Sequence, residues 1–396
     1  MDIFLRSTIY LLIILSFSTI LHPHVLTAEI LAMVPYESKP AETLKSFKLN
    51  RKEDRREGIF IIDVDPKAKT FGRILIDIPL PSELGVHQIF YDRAMDKAYV
   101  TLRGKSELII FKLGHFPYRL NRLKLPNCEM GQNIAFSSNN QTWYLTCLMS
   151  EKIIVGDVST DKIKKTINLP SSYPHGIIVM SDINRILVTS SVSGDFSDKS
   201  DFFYVIQSET GKILSQHKLS SQSSKSGASP VGLLRVPDLI PPTVYITNMH
   251  GHDAWAAVWK KDKMIFDISK MIDFQRLSSK TPLNLYFNSS SKKLFVTSAN
   301  PGNLHIFDVS KNPIQPAIIT SLPAAEGANH AAFSRDGHYA FVQNSLLSLP
   351  GMSDGSITII DLKNQNIARS VTTLKEMGLN PNSIILLPDW HNFAGH

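Results

Sequence analysis

Apolar and polar residues alternate with a period of two in short runs spread along the chain. Six of these runs are alike: AYVTL, WYLTC, ILVTS, VYITN, LFVTS and AFVQN, which begin at Ala98, Trp143, Ile186, Val244, Leu294 and Ala340. Measured between their second residues, successive runs are 45, 43, 58, 50 and 46 positions apart. Such alternation of β-branched and aromatic residues predicts β-strands, and the recurring spacing predicts a repeated structural unit.

Each unit contains further strand-like segments. The run is followed by a second apolar segment, then by a more polar one, and a segment marked by Pro or Gly opens the next unit. There are seven such openings: GVHQIFY, GQNIAFS, PHGIIVM, PVGLLRV, PLNLYFN, NHAAFSR and PNSIILL. Four strands in about 45 residues are typical of a propeller blade. The sequence therefore predicts an all-β fold, a seven-bladed β-propeller with four-stranded antiparallel blades, and a pair of eight-stranded sandwiches is the alternative.

The last opening lies too close to the end of the chain to start a whole blade. It covers about Asn382 to Leu387, and only nine residues follow. Three strand-like segments between Glu29 and Leu80 have no inner strand of their own. We expect these N-terminal strands to join the C-terminal inner strand, which closes the ring and removes an open sheet edge. Residues 29–396 would then form a single propeller domain.

The N-terminal residues have the pattern of an export signal. Arg6 precedes an apolar run from Ser7 to Leu21, and a stretch of small and polar residues ends at Ala28. The run is shorter than the roughly 20 residues that span a bilayer. We therefore interpret residues 1–28 as a signal peptide and expect a periplasmic or secreted protein with no membrane span after cleavage. An uncleaved anchor is the alternative.

Composition and charge narrow the possible partners. Of 396 residues, 43% are apolar and 19% are charged, which excludes a disordered chain. The 42 Lys and Arg exceed the 35 Asp and Glu by 7, a modest excess for this length. It does not by itself indicate a nucleic-acid partner. We expect a monomer that binds a small molecule or a protein.

Several histidines lie where a propeller would bring them to one face. His87, His175 and His330 stand at the beginnings of inner strands, and His250 and His252 lie in the sequence MHGHDAW. Imidazole is a common ligand for copper and zinc, so these five residues are candidate metal ligands. The alternative is that they form hydrogen bonds with neighbouring loops.

Three long connections follow second strands, on the same face as these histidines. They cover residues 191–202, 248–256 and 344–355. Long loops grouped on one face of a rigid ring are frequent binding sites. Asp195, Asp253, Trp255 and Leu347 are the residues we expect on this ligand or partner surface, although the apolar ones could instead be buried under neighbouring loops.

The chain has two cysteines, Cys128 and Cys147, near the same end of neighbouring strands. Direct opposition would place Cys147 nearer Gln132, so a bond requires the chain between Cys128 and Gln132 to fold back. A disulfide and two free thiols are both compatible with the sequence.

The repeat resembles the YVTN-type propeller repeat of exported bacterial proteins over residues 29–390. The segment DVDPKAKTFGRILIDIPLP, from Asp63 to Pro81, is similar to an early-blade segment of the selenium-binding protein and methanethiol oxidase family. This second resemblance implies oxidation of a small thiol at a His-ligated copper in the propeller channel. The cysteine-rich motif of that family has no counterpart here.

Two functions follow from these features. The first is an exported propeller that binds a ligand or protein on the loop-bearing face and at the opening of the channel on that face. The alternative is a copper-dependent thiol oxidase that uses His87, His175 and His330. Convergence of the three histidines would favour the oxidase, whereas a channel closed by aliphatic side chains would favour the binding protein.

Overall fold

The computed structural model describes residues 30–39, 55–114, 119–220 and 227–392. Its strands form seven antiparallel sheets arranged as a seven-bladed propeller, so the predicted fold is confirmed. The proposed signal peptide lies outside the described residues. So do residues 40–54, which make up most of a segment between Pro35 and Gly58 that is rich in Lys and Arg.

The first three blades follow one another along the chain, each running from its inner strand to its outer strand. Blade 1 contains Val86–Tyr91, Lys97–Leu102, Glu107–Lys112 and Arg119–Lys124. Blade 2 contains Gly131–Phe136, Thr142–Cys147, Lys152–Asp157 and Ile163–Asn168. Blade 3 contains Pro174–Met180, Arg185–Val192, Lys199–Gln207 and Ile213–Lys218.

The next three blades repeat the same order. Blade 4 contains Pro230–Arg235, Thr243–Asn248, Asp253–Lys260 and Ile265–Asp273. Blade 5 contains Lys280–Phe287, Lys293–Asn300, Gly302–Asp308 and Ala317–Pro323. Blade 6 contains Ala328–Ser334, Tyr339–Asn344, Ile357–Asp361 and Asn366–Val371, and His391–Asn392 adds to its inner edge.

Blade 7 combines the two ends of the described chain, as predicted. Its inner strand is made of Leu379–Pro381 and Ile385–Leu386, and its other strands are Leu31–Ser38, Glu57–Asp63 and Ile74–Leu80. In the register, Tyr36 pairs with Pro381 and Ala32 pairs with Leu386. The ring is therefore closed by hydrogen bonds between the N-terminal and the C-terminal segments of the described chain.

Helical structure is scarce in the described residues. It consists of three 3₁₀ turns and one short α-helix: Leu148–Ser150, Ser181–Ile183, Phe274–Leu277 and Thr373–Glu376. None of the helices found there has the length and hydropathy that a membrane crossing needs.

The hydrophobic core lies between the blades. In Leu31–Ser38, Val34 packs with blade 6 residues such as Phe341, whereas the next side chain along, Met33, packs with blade 1 residues such as Val100. Successive strand residues point to opposite faces, so a strand covered on both sides is buried throughout. This explains why the central strands are almost continuously buried while the outer strands alternate in exposure.

In blades 2, 3 and 4 the Thr of the repeat joins its blade to the next. Each inner strand of blades 1 to 6 carries a bulge near its start, which leaves one backbone N–H without a ladder partner. In blade 4, the N–H of Gly232 donates to Thr247 Oγ1 at 3.0 Å, and the same hydroxyl donates to the carbonyl of Leu283 in blade 5. In blade 6, Gln343 takes this role, accepting from the N–H of His330 at 3.0 Å. The repeat residue thus satisfies the bulge and links neighbouring blades.

Replacing Thr247 by Val is expected to destabilise the protein by about 1–3 kcal/mol, because the buried N–H of Gly232 loses its acceptor. Valine has nearly the same shape, so the packing should change little. Denaturant unfolding measures the effect. Thr166→Val, in the exposed outer strand of blade 2, is the control and should leave stability within about 0.5 kcal/mol. Equal losses in both variants would contradict the role given to the threonine.

Cys128 and Cys147 form a disulfide within blade 2, with sulfur atoms 2.00 Å apart and Cα atoms 5.1 Å apart. Cys147 pairs with Gly131, three residues beyond Cys128. The chain turns on both sides of Cys128, where Asn127 and Met130 adopt left-handed backbone conformations, with φ of 52° and 57°.

Candidate functional site

Two adjacent positions in each inner-strand bulge face the centre of the ring. His87, Gln132 and His175 occupy the first position in blades 1, 2 and 3, as the matching registers of their bulges show. His330 lies at the second position in blade 6. Since all blades point toward one axis, these residues come together in the channel although they are far apart in sequence.

The three inner-strand histidines line one small cavity of about 40 Å³. His87 Nε2 lies 3.0 Å from Gln132 Oε1, which joins the first positions of blades 1 and 2. The Nδ1 atoms of His87 and His175 are buried and have no hydrogen-bond partner among the described residues. The cavity has room for about two or three water molecules, so these nitrogens can bind a small hydrogen-bonding molecule.

Burial keeps these imidazoles neutral at neutral pH. Burial, with the nearby Arg103, His330 and His175, holds the pKa of His87 well below its usual value. Burial likewise lowers the pKa of His175 to about 4. A neutral imidazole offers one donor and one acceptor, which suits hydrogen bonding and metal ligation alike.

The histidines converge but do not form a metal centre of the expected kind. Across the described parts of the chain, no group of three or more His, Cys, Asp or Glu side chains is placed to hold a metal ion. One reason is register, since His330 stands one residue further along its strand than His87 and His175 do along theirs. The three-histidine copper site that the family resemblance implies therefore stays a prediction.

His250 and His252 bind different partners. His250 Nδ1 lies 3.0 Å from Ser229 Oγ, whereas His252 Nδ1 accepts from the N–H of Thr281 in blade 5 at 3.2 Å. Side chains two residues apart point the same way only in an extended segment, whereas His252 has a left-handed backbone with φ of 56°. The turn gives each ring a structural partner on a neighbouring segment.

The residues expected on a ligand surface are mostly buried. Trp255 lies inside the strand Asp253–Lys260 rather than in a loop, because the turn covers only residues 249–252. The carboxylate of Asp253 accepts from Trp255 Nε1 at 2.9 Å and pairs with Lys270 at 3.2 Å. Asp195 is exposed, and its carboxylate accepts from Ser193 and Ser197 in its own loop, which lowers its pKa.

The long loops close the channel instead of forming an open surface. Leu346 and Leu347 from residues 345–356, Met249 from the blade 4 turn, and Val192 and Phe196 from blade 3 pack together above the histidine cavity. We call this group the apolar plug. Leu347 is 7% exposed, so it is not available as a surface anchor. Both features that distinguish the two hypotheses are thus present, since the three histidines line one cavity and apolar side chains pack over it.

A larger cavity lies on the other side of the histidine layer. It has a volume of about 550 Å³ and is lined by the inner strands, including Ile134, Ile178, Leu233 and Leu285. His330 and Asn284 border both cavities and so separate them. We predicted binding on the loop face, whereas this cavity opens on the other face, where the inner strands end.

The opening of this cavity is polar on one side. Its rim, which we call the mouth, is formed in blades 1 to 4 by residues at the ends of the inner strands: Arg93, Ser138, Ser181, Asp182, Arg235 and Pro237. On blades 5 to 7, the cavity is bordered by less polar residues such as Tyr286, Ala331 and Ile385. The cavity therefore combines an apolar interior with a charged entrance.

No family model and no curated protein matches this sequence. Solved structures are similar to it. A hypothetical selenium-binding protein from Sulfolobus tokodaii has a TM-score of 0.71 at 11% identity, covering 92% of this chain and 95% of that one. A candidate 6-phosphogluconolactonase from Bacteroides fragilis has a TM-score of 0.61 at 12% identity, covering 92% and 99%. Hydrazine synthase from Kuenenia stuttgartiensis has a TM-score of 0.58 at 14% identity, covering 78% and 92%.

At these identities the similarity shows a shared fold. The resemblance to selenium-binding proteins is supported at that level, and the resemblance to YVTN-type repeats stays a prediction. Because many activities occur on propellers, function must be argued from the channel of this chain.

Proposed function

We propose that this protein binds a small molecule with an apolar body in its central channel, through the mouth. The observation that carries the proposal is the cavity of about 550 Å³. Ligand pockets are typically about 300–1,000 Å³, mostly apolar, with a few polar groups that fix orientation. Here Ile134, Ile178 and Leu233 supply apolar wall, and Asn133 and Asn284 supply polar groups at the inner end.

The apolar plug supports entry from the mouth. Leu346, Leu347 and Met249 are buried and pack over the histidine cavity at the loop end of the channel. A ligand that entered from the loop face would have to displace these side chains. Entry at the mouth requires no such rearrangement.

Export remains part of the proposal. Residues 1–28 have the pattern of a signal peptide, and a structural disulfide is the kind of bond that an oxidising compartment permits. We therefore propose that ligand binding takes place in the periplasm or outside the cell.

Binding of N-phenyl-1-naphthylamine, an uncharged apolar fluorophore, tests the proposal. We expect saturable binding of one molecule per chain, followed by the fluorescence of the directly excited probe. Leu233→Trp should weaken binding at least tenfold, because the larger ring occupies the channel. Leu214→Trp is the matched control, since Leu214 is 42% exposed on an outer strand and should not affect binding. Absence of saturable binding, or equal binding by both variants, would contradict the proposal.

A further inference from the structure

The mouth carries more positive than negative charge. Arg93 from blade 1, Asp182 from blade 3 and Arg235 from blade 4 are the charged residues of its rim. Asp182 and Arg235 neutralise each other through two hydrogen bonds of 2.6 and 2.7 Å. Arg93 is left as the additional cation.

Arg93 is held in place by groups that carry no charge. Its Nε donates to the carbonyl of Ser137 at 3.0 Å, and Nη2 approaches the carbonyl of Phe136 at 3.4 Å. None of the ion pairs found among the described residues includes Arg93. The nearby carboxylate of Asp92 instead accepts from Lys97 N–H and Asn140 Nδ2. The guanidinium is therefore positioned without being neutralised.

Arg93 lies at the rim of the cavity and is exposed, so an anion can reach it. Desolvation and, to a smaller extent, the charge of Arg235 lower the pKa of Arg93. Arg93 remains charged at neutral pH, since an arginine is essentially always protonated in a protein. An anion bound by Arg93 would supply the carboxylate-like partner that the ion pairs of the described residues do not give it.

We propose that the channel ligand is an organic anion, with its apolar body among the inner strands and its charged group bound by Arg93 at the mouth. This inference rests on the proposed function, because it specifies the ligand of the same cavity. A guanidinium donates two parallel hydrogen bonds to a carboxylate, which gives orientation as well as affinity. A carboxylate on an aliphatic chain is the simplest ligand that matches both parts of the cavity.

Three ten-carbon probes that differ only in the head group test the inference with the full-length protein. Decanoate, decanol and decylamine are used to displace N-phenyl-1-naphthylamine at neutral pH. We expect decanoate to bind about tenfold more tightly than decanol, since a hydrogen bond to a charged group contributes about this much, and decylamine to bind most weakly. Equal displacement by decanoate and decanol would overturn the inference.

Arg93→Gln should remove the preference for decanoate over decanol, which is read as the ratio of the two affinities. Arg335→Gln is the matched control. Arg335 is also tethered to a backbone carbonyl, that of Pro388 at 2.7 Å, but it does not line the cavity. If Arg93→Gln does not fold, the wild type still decides, because the preference for decanoate should decrease as salt is raised. A preference that is insensitive to salt would overturn the inference.

The two proposals fail in different ways. Loss of all binding of the uncharged fluorophore would refute the channel as a ligand site. Displacement by decanol as good as by decanoate would leave the channel as a ligand site and refute only the anionic ligand.

Discussion

A chain that ends at Gly378 is expected to lose the cooperative unfolding of the propeller. The truncation removes the inner strand of blade 7, whose residues pair with Ala32, Met33, Tyr36, Glu37 and Ser38. It also removes five buried aliphatic side chains that lie between blades or at the channel: Leu379, Ile384, Ile385, Leu386 and Leu387. At about 1.5–3 kcal/mol for each buried side chain, the loss is about 7–15 kcal/mol. This is comparable with the whole stability of a typical domain.

Thermal unfolding followed by circular dichroism measures the effect. A chain that ends at Asn392 is the matched control, because it keeps every described residue and should unfold like the full-length protein. A native spectrum with a cooperative transition in the Gly378 truncate would show that the ring does not depend on this closure.

The fold could be predicted because the repeated sequence pattern lies in strands that are buried on both faces. The runs AYVTL and ILVTS are buried at every position, since each lies between two neighbouring blades. The pairing of the last described strand is not predicted by the sequence pattern. His391 and Asn392 pair with Ser334 and Phe333, an interaction of only two residues that no periodic pattern marks.

The candidate site could be predicted only in part. The meeting of His87, His175 and His330 follows from their common place at inner-strand starts, and the structure does bring them to one cavity. The burial of Leu347 and the volume at the mouth depend on how loops and inner-strand side chains pack across the channel. Such packing joins residues from different blades, and a single sequence carries no signal for it.

Arg103 belongs to a buried charge cluster at the seam between blade 7 and blade 1. Its Nη2 lies 2.9 Å from Glu37 Oε2, and both side chains are almost fully buried, at 1% and 2% exposure. Arg55 also pairs with Glu37 and lies 3.2 Å from Glu57. The other oxygen of Glu57 accepts from the N–H of Gly85 at 2.8 Å, which ties the cluster to the start of blade 1.

Replacing Arg103 by Met is expected to destabilise the protein by about 3–5 kcal/mol, because Glu37 and Glu57 must then share one cation in a buried site. Arg122→Met breaks a surface pair with Glu107, in which the arginine is 41% exposed, and should cost less than about 1 kcal/mol. The double change Glu37→Leu with Arg103→Met removes one charge of each sign and should recover much of the loss. Denaturant unfolding of the three variants measures these differences.

The pH dependence of stability gives an independent readout of the same cluster. Burial raises the pKa of Glu57 from 4.5 to about 7, and Arg55 and Arg103 act against this rise. The folded protein thus holds this proton more tightly than the unfolded chain does, so the contribution of Glu57 to stability is full below pH 4.5 and is lost as the pH rises through 7. Removing Arg103 raises the pKa of Glu57 further, and the loss of stability between these values should extend to higher pH. An unchanged pH profile in Arg103→Met would show that the arginine does not act on Glu57, whatever its effect on stability.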